Sequence, residues 1–319
     1  MIPADLTTLA HAVADAIPLD PKQFLGIPLA LLGAVFLSFG AQYQSRGLRK
    51  VERITGQSAG SGINWKHFLG LLGRPSWLIG TILLGAAVLL QIGSLSLSPL
   101  TVVQPLGVVA LVITAILNSR MSNVRLGRGA IVSIALCVTG VFIFVSVAAF
   151  TAADRPVTDA KLVTILILFA AVLFVFGGVF FAFRHKAAAV VYIVGAGVLY
   201  GFVATFAKAV IGRIMQGEFE WLTWLCVLAL AIGALVGMIF VQNAYSSGPP
   251  DLVVAGLTVV DPIVAVFIGI VVLGEAASAP GWASWVFVIT AGIAIAGVFG
   301  LAKYHPQADE REALEDIAA

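Results

Sequence analysis

Asp261 stands about ten residues inside the apolar run 251–273. If that run is a membrane-crossing helix, a rise of 1.5 Å per residue puts the carboxylate roughly 15 Å deep. An acid at that depth costs at least about 2.5–3.5 kcal/mol on insertion scales, so it is expected to face the protein interior beside a partner. Its chemistry would be contact with a substrate or the binding of a proton. The plainer alternative is a hydrogen bond that holds a helix break. Pro262 follows it and has no N–H to donate; Asp-Pro is also the usual pair at a helix start. A break in the middle of this span is therefore expected, with backbone groups freed for a solute. Gln104-Pro105 is the matching pair in an earlier run.

Other polar side chains precede these two motifs. Gln91, Ser94 and Ser96 lie in one run, and Gln242, Asn243 and Tyr245 in another. Beside a single acid they would suit a polar or zwitterionic solute; helix-to-helix hydrogen bonding explains each of them equally well. Gln91, Gln104, Gln242, Asn243, Tyr245 and Asp261 form the expected substrate or ion site, with Pro105 and Pro262 as helix breaks. Lys208, Glu275, Thr101 and Thr258 are secondary candidates. Lys208, near the end of its run, is expected to snorkel to the interface, with pairing to Glu275 or Asp261 as the alternative. No metal-ligand set is expected. His11, His67, His185 and His305 fall outside the apolar runs, and Cys137 and Cys226 sit far apart, without CxxC spacing, as packing residues. No phosphate-binding Gly loop with Lys-Ser/Thr is present, so no nucleotide or other cofactor is expected. No paired acids or nucleophile–base arrangement suggests an enzyme.

The elements that must position these residues follow from composition. The chain is 60% hydrophobic and 11% charged, too few charges to cover a water-soluble protein of 319 residues. Runs long enough to cross a bilayer are read at 24–43, 77–97, 100–118, 129–150, 162–183, 187–211, 221–245, 251–273 and 282–302. An all-α polytopic membrane protein with about nine transmembrane helices is expected. Residues 1–23 form an N-terminal segment with Asp5, Asp15 and Asp20 and no secretory-signal pattern. Thirteen basic residues fall on one side of the spans, among them Arg46, Arg49, Lys50, Arg53, Arg120, Arg128 and Lys303. Four fall on the other: Lys22, Arg155, Lys161 and Arg213. That places the first group in the cytoplasm, the N-terminus outside and the acidic tail 303–319 inside the cell membrane. Loop 44–76 is then cytoplasmic, with 63–69 either a helix lying at the membrane surface or part of a flexible linker with an early start to the second span. The net charge of +2 and the absence of a basic run exclude nucleic acid as a partner.

The chain also repeats itself. Leu100-Thr101-Val102-Val103-Gln104-Pro105 recurs 157 residues later as Leu257-Thr258-Val259-Val260-Asp261-Pro262, and at the same offset Gly140-Val141-Phe142 recurs as Gly297-Val298-Phe299. The third and eighth spans are thus equivalents, as are the fourth and ninth. Five spans separate each pair, so equivalents cross in opposite senses and the repeat is inverted, as in secondary transporters. The first repeat is placed at 24–150 with four spans and the second at 151–302 with five.

Pro249-Pro250-Asp251, Asp261-Pro262 and Leu273-Gly274-Glu275 resemble the EamA-type repeat of the drug/metabolite transporter superfamily. Ser98 to Gly107 (SPLTVVQPLG) resembles the NIPA branch, associated with magnesium transport. The first half has Asn118 where the second has Glu275, and its two prolines stand six residues closer together. The resemblance covers 24–302 and implies a ten-helix, two-repeat fold with the first helix lost here. The leading expectation is a secondary transporter moving a small polar or amphipathic organic solute by alternating access, proton-coupled through Asp261. A magnesium or divalent-cation transporter and a non-transporting membrane partner protein are the alternatives. The expected partners are the bilayer and a small-molecule or ion substrate, with a homodimer left open.

Overall fold

The computed structural model describes residues 24–55, 74–122, 127–183, 189–218, 220–247 and 250–303. The readings of 1–23, of 63–69 and of the tail beyond Lys303 lie outside the described residues. Ten α-helices account for nearly everything described: α1 Gly26–Thr55, α2 Pro75–Leu97, α3 Leu100–Leu106, α4 Val108–Ser122, α5 Arg128–Thr151, α6 Asp159–Phe183, α7 Ala189–Gln216, α8 Trp221–Ser247, α9 Pro250–Ile268 and α10 Gly281–Lys303. A π-helical turn, Gly269–Leu273, extends α9. Among the described residues there is no strand, and nine candidate spans are long and apolar enough to cross a membrane, α3 and α4 together making the third.

Two boundaries differ from the sequence reading. The first helix does not stop near residue 43 but runs to Thr55. Segment 44–55 has no proline and is rich in Gln, Arg, Lys and Glu, all good helix formers, so the helix outlasts its apolar part. The third span is also not one helix. Pro105 supplies no N–H, and two residues later Gly107 closes a tight turn, donating to the Gln104 carbonyl at 3.1 Å, while Ala110 donates to the Gly107 carbonyl at 3.0 Å. Such i→i−3 bonds replace the regular ladder and separate α3 from α4.

Helix order comes from which residues meet. Glycines let backbones approach where a side chain would collide. A Cβ on Gly80 of α2 would strike the backbone of Gln44 on α1, and one on Gly33 of α1 would touch the Ala87 carbonyl on α2. As numbers rise on α1 they fall on α2, so this is an antiparallel hairpin. The pairings Gly195–Phe240, Tyr200–Gly237 and Val203–Gly233 make α7 and α8 another. Ile193–Gly256, Gly197–Val260 and Gly201–Val264 rise together, so α7 and α9 run parallel.

The contact between α5 and α10 tests the inversion. Ser133 meets Gly300, Cys137 meets Gly297, Gly140 meets Ala294, and the rings of Phe144 and Phe287 lie 4.8 Å apart. Numbers rise on one helix and fall on the other, so the two helices that share the 157-residue offset cross in opposite senses. The contact is also two-fold symmetric. Gly297 is Gly140 shifted by 157, Ala294 is Cys137 shifted by the same amount, and each glycine rests on the counterpart of the other's neighbour. A two-fold axis perpendicular to these helices is the geometry of two bundles of opposite orientation.

Burial differs among the helices. The windows in α3–α4 and in α7 are each 61% buried, whereas that in α6 is 17% buried, so α6 is peripheral. Trp221, Trp224, Trp282 and Trp285 are exposed at the starts of α8 and α10, where aromatic rings favour the water–lipid boundary.

Replacing Gly140 or Gly297 by Leu is expected to force the α5–α10 seam apart, at a cost of about 1–3 kcal/mol or more for overpacking. Gly85, which has no neighbour within 4 Å of a Cβ, is expected to accept Leu without loss. Thermal melting of the three purified variants checks both outcomes.

Candidate functional site

The polar side chains inside the bundle fall into two groups. The first is built around Glu275. Gly274 ends the π-helical turn in the left-handed region, φ 73°, which a residue with a Cβ rarely adopts. The turn sends Glu275, 1% exposed, back across the bundle to the start of α3. There its Oε1 accepts from Leu100 N at 2.8 Å, and its Oε2 accepts from Thr101 N at 2.8 Å and from the Thr101 hydroxyl at 2.9 Å. A Cβ on Gly269 would lie 2.8 Å from Oε2, so that position must stay bare to seat the carboxylate. The motif Leu273-Gly274-Glu275 thus works as a distant cap: it supplies acceptors to a helix that starts inside the protein, where its first N–H groups find no water.

Lys208 completes this group. Its side chain is 4% exposed, and Nζ donates to the carbonyls of Leu95 and Ser98 at 2.7 and 2.9 Å and to Asp154 Oδ2 at 2.8 Å. Glu275 lies within range of its charge. The expectation that Lys208 snorkels to the interface is corrected. The short connection after α5 carries Asp154 over the end of α7, and the α2–α3 junction aims two carbonyls at the same point, so the ammonium is held inward. Asp154 was missed in the sequence because it lies in a connection; only the need of a buried cation for a counter-charge hinted at such a partner.

The second group is Asp261. It sits on the side of α9 that faces α7, opposite Gly197 and Gly201, whose missing Cβ atoms let the α9 backbone come close. Tyr200 stands within electrostatic reach. The Asp261 Oδ1 is buried and has no hydrogen-bond partner among the described residues. The expected break at this place is not found: α9 continues unbroken through Pro262 to Ile268. One proline removes one donor and crowds one carbonyl, which a helix packed on α7 along its length absorbs as a bend. In the first half the interruption comes at Gly107, after Pro105.

Another face of α9 borders a cavity of about 240 Å³, lined by Pro105 and Val108 from the first half and by Thr258, Val259 and Pro262 of α9, with Val141, Phe144, Phe287 and Val298 among its walls; Asp261, turned to α7, is not among the lining residues. Pro105 with Pro262, and Val141 with Val298, are pairs at the repeat offset, so the cavity adjoins the symmetry axis, with most of its lining supplied by the second half. Apart from Thr258 its lining side chains are apolar.

The other expected site residues are dispersed. Gln104 is buried on α3 and Gln91 half-buried on α2. Gln242 is exposed, Tyr245 is 44% exposed, and the Asn243 amide donates to the Ile239 carbonyl of its own helix. None of these five lines the axial cavity. Thr101 is engaged by Glu275, while the Thr258 hydroxyl donates to the Val254 carbonyl. Among the described residues no group of three or more His, Cys, Asp or Glu could hold a metal.

The inverted seam, the paired prolines on its axis and the Leu-Gly-Glu cap describe a transporter-type bundle. The model of the magnesium transporter NIPA family matches residues 22–315. The chain belongs to this family. An uncharacterised protein of Corynebacterium glutamicum is 26% identical over 282 residues, covering 86% of this chain and 92% of that protein. No solved structure matches the chain. The likeness read in Ser98–Gly107 therefore extends over nearly the whole sequence. The protein is a multi-pass membrane transporter, of a transporter family rather than an enzyme family. Membership sets aside the reading as a non-transporting partner and favours an ion over an organic solute.

Glu275→Ala is expected to leave two backbone N–H groups and a hydroxyl without acceptors, at about 1–3 kcal/mol for each buried unsatisfied donor. Glu275→Gln should cost less. Gly274→Ala, forced into the left-handed region, should lose about 1–2 kcal/mol. Melting temperatures falling in the order wild type, Gln variant, Ala variant at position 275 test the cap.

Proposed function

We propose that the protein moves a divalent cation, magnesium in the first place, across the cell membrane by alternating access, with Asp261 as its principal contact. The observation that carries this reading is the buried, unpartnered Oδ1 of Asp261, on a helix whose next residue, Pro262, meets Pro105 of the other bundle at a shared cavity. A buried carboxylate oxygen without a donor is costly unless a cation or proton visits it. Mg²⁺ keeps most of its water and needs only one or two carboxylates, so a lone acid suits it better than a dedicated cage would. Pro105 and Pro262 add to the donor set: each leaves the carbonyl four residues earlier, at Thr101 and Thr258, without its usual helical N–H. The family match supports the substrate class. The two repeats, 24–150 and 151–302, would rock about the α5–α10 seam, and the basic ends of α1, α4 and α5 would face the cytoplasm, leaving the N-terminus outside.

One observation favours a second reading, a small amphipathic organic solute coupled to protons at Asp261: the cavity walls are apolar. The two readings part in one experiment. In proteoliposomes, wild type is expected to take up Mg²⁺ down its gradient, and Asp261→Asn to lose most of that flux, on the order of tenfold or more for a lost charged contact of about 1.5–3 kcal/mol. Unchanged Mg²⁺ uptake by the Asn variant removes Asp261 from the path. No Mg²⁺ flux in the wild type, with pH-dependent uptake of organic cations or amino acids instead, selects the second reading.

A further inference from the structure

The bonds around Glu275 and Lys208 share a property that neither the substrate nor Asp261 requires: they join the last five spans to the first four, or to the connection between them. Glu275, beyond α9, holds the first turn of α3 with three hydrogen bonds. Lys208, on α7, holds the α2–α3 junction through the carbonyls of Leu95 and Ser98 and the 152–158 connection through Asp154. Ala153 N of that connection donates to the Glu275 carbonyl at 2.9 Å, and Arg155 donates to the Ser278 hydroxyl at 2.7 Å. All of these lie at one end of the bundle, where α2 and α5 finish. At the other end, where α5 begins and α10 finishes, the seam is made by small residues, with Ser133 against Gly300. No ion pair crosses it there among the described residues.

We infer that the Glu275 and Lys208 networks form the gate that seals the transport path on the face opposite the basic helix ends, and that the structure is the state closed on that face. A protein that exposes its site to each side in turn must part its two bundles on one face while keeping the other shut. On the small-residue face that movement parts the close contact of Ser133 with Gly300. On the ionic face it must also strip a carboxylate of three donors and an ammonium of three acceptors, in surroundings where only arriving water can replace them. The network therefore sets how rarely the sealed face opens. The Lys208 ammonium, held by three oxygens, occupies this entrance as a tethered cation. Opening moves it aside with α7 and leaves Asp154, which is partly exposed, as the first carboxylate an incoming ion meets.

This inference rests on transport by alternating access but not on which ion is carried, so it is tested without transport. Two single-cysteine reporters are placed in the full-length protein. Val103→Cys, the sealed-face reporter, lies one turn below the seal on α3; Ser133→Cys, the seam reporter, lies at the other end of the bundle. Each is treated in oriented membrane vesicles with a membrane-impermeant maleimide applied to one face at a time. Modification at each position is read by peptide mass spectrometry, which separates it from buried Cys137 and Cys226. With Lys208→Met or Glu275→Gln added, the sealed-face reporter is expected to react on the order of tenfold faster from the sealed face, and the seam reporter more slowly from the opposite face, as the population moves between the two states. Asp154→Asn, at a partly exposed position, should give a smaller change of the same sign and serves if the buried variants do not reach the membrane. Acceleration at both reporters together would mean general loosening, and no acceleration at the sealed-face reporter would mean no seal; either overturns the inference. A side-selective change in a protein that carries no Mg²⁺ would leave the gate standing while the magnesium reading fails.

Discussion

Within a bilayer a helix end has no water to turn to, and this chain starts a helix, α3, inside its own bundle. The first N–H groups of that helix need acceptors, and its N-cap residue, Pro99, has no side chain that can supply one. The acceptors come from Glu275, 175 positions away. Much of the interior architecture follows from this one requirement. Gly274 must be a glycine to turn the chain, Gly269 must be bare to seat the carboxylate, and α9 must end where it does to deliver both.

The same requirement explains why the two repeats are not copies in detail. The offset of 157 holds for the α5–α10 seam almost atom for atom, because two helices packed through facing glycines leave no freedom in register. It holds less well for the third and eighth spans. The third is divided at Gly107 and starts at Leu100; the eighth runs unbroken from Pro250 through its proline. The first-half helix can be short because Glu275 completes its start. An inverted repeat therefore fixes how the bundles are related while each bundle remains free to differ where the partner supplies the missing bonds.

The two acids inside the bundle differ in how far they are satisfied. Glu275 is satisfied by donors on three sides and is structural in the closed state. Asp261 has a buried oxygen left over, and the proline that follows it lines a cavity together with Pro105 of the other bundle. A transporter needs one polar contact that is incomplete without cargo and others complete enough to keep a face shut. On the proposed reading those roles would fall to Asp261 and to Glu275, fourteen residues further on and beyond the end of α9.

Composition and spacing alone were enough for the membrane class, for nine crossing segments, for the inversion and for Asp261 as the acid inside a span, because hydropathy, segment count and a long-range sequence match need no knowledge of contacts. Only the folded chain decided what those residues touch. Lys208 read as an interfacial lysine, since nothing adjacent in sequence could neutralise it; its acceptors come from the α2–α3 junction and a connection more than fifty residues away. Pro262 read as a break because a proline removes a hydrogen bond wherever it stands, yet α9, packed along α7, continues through it without interruption. Gln242, Asn243 and Tyr245 read as site residues from their polarity, and no residue of α8 lines the cavity. Side-chain direction and long-range partners are properties of three-dimensional packing, and a one-dimensional pattern contains neither.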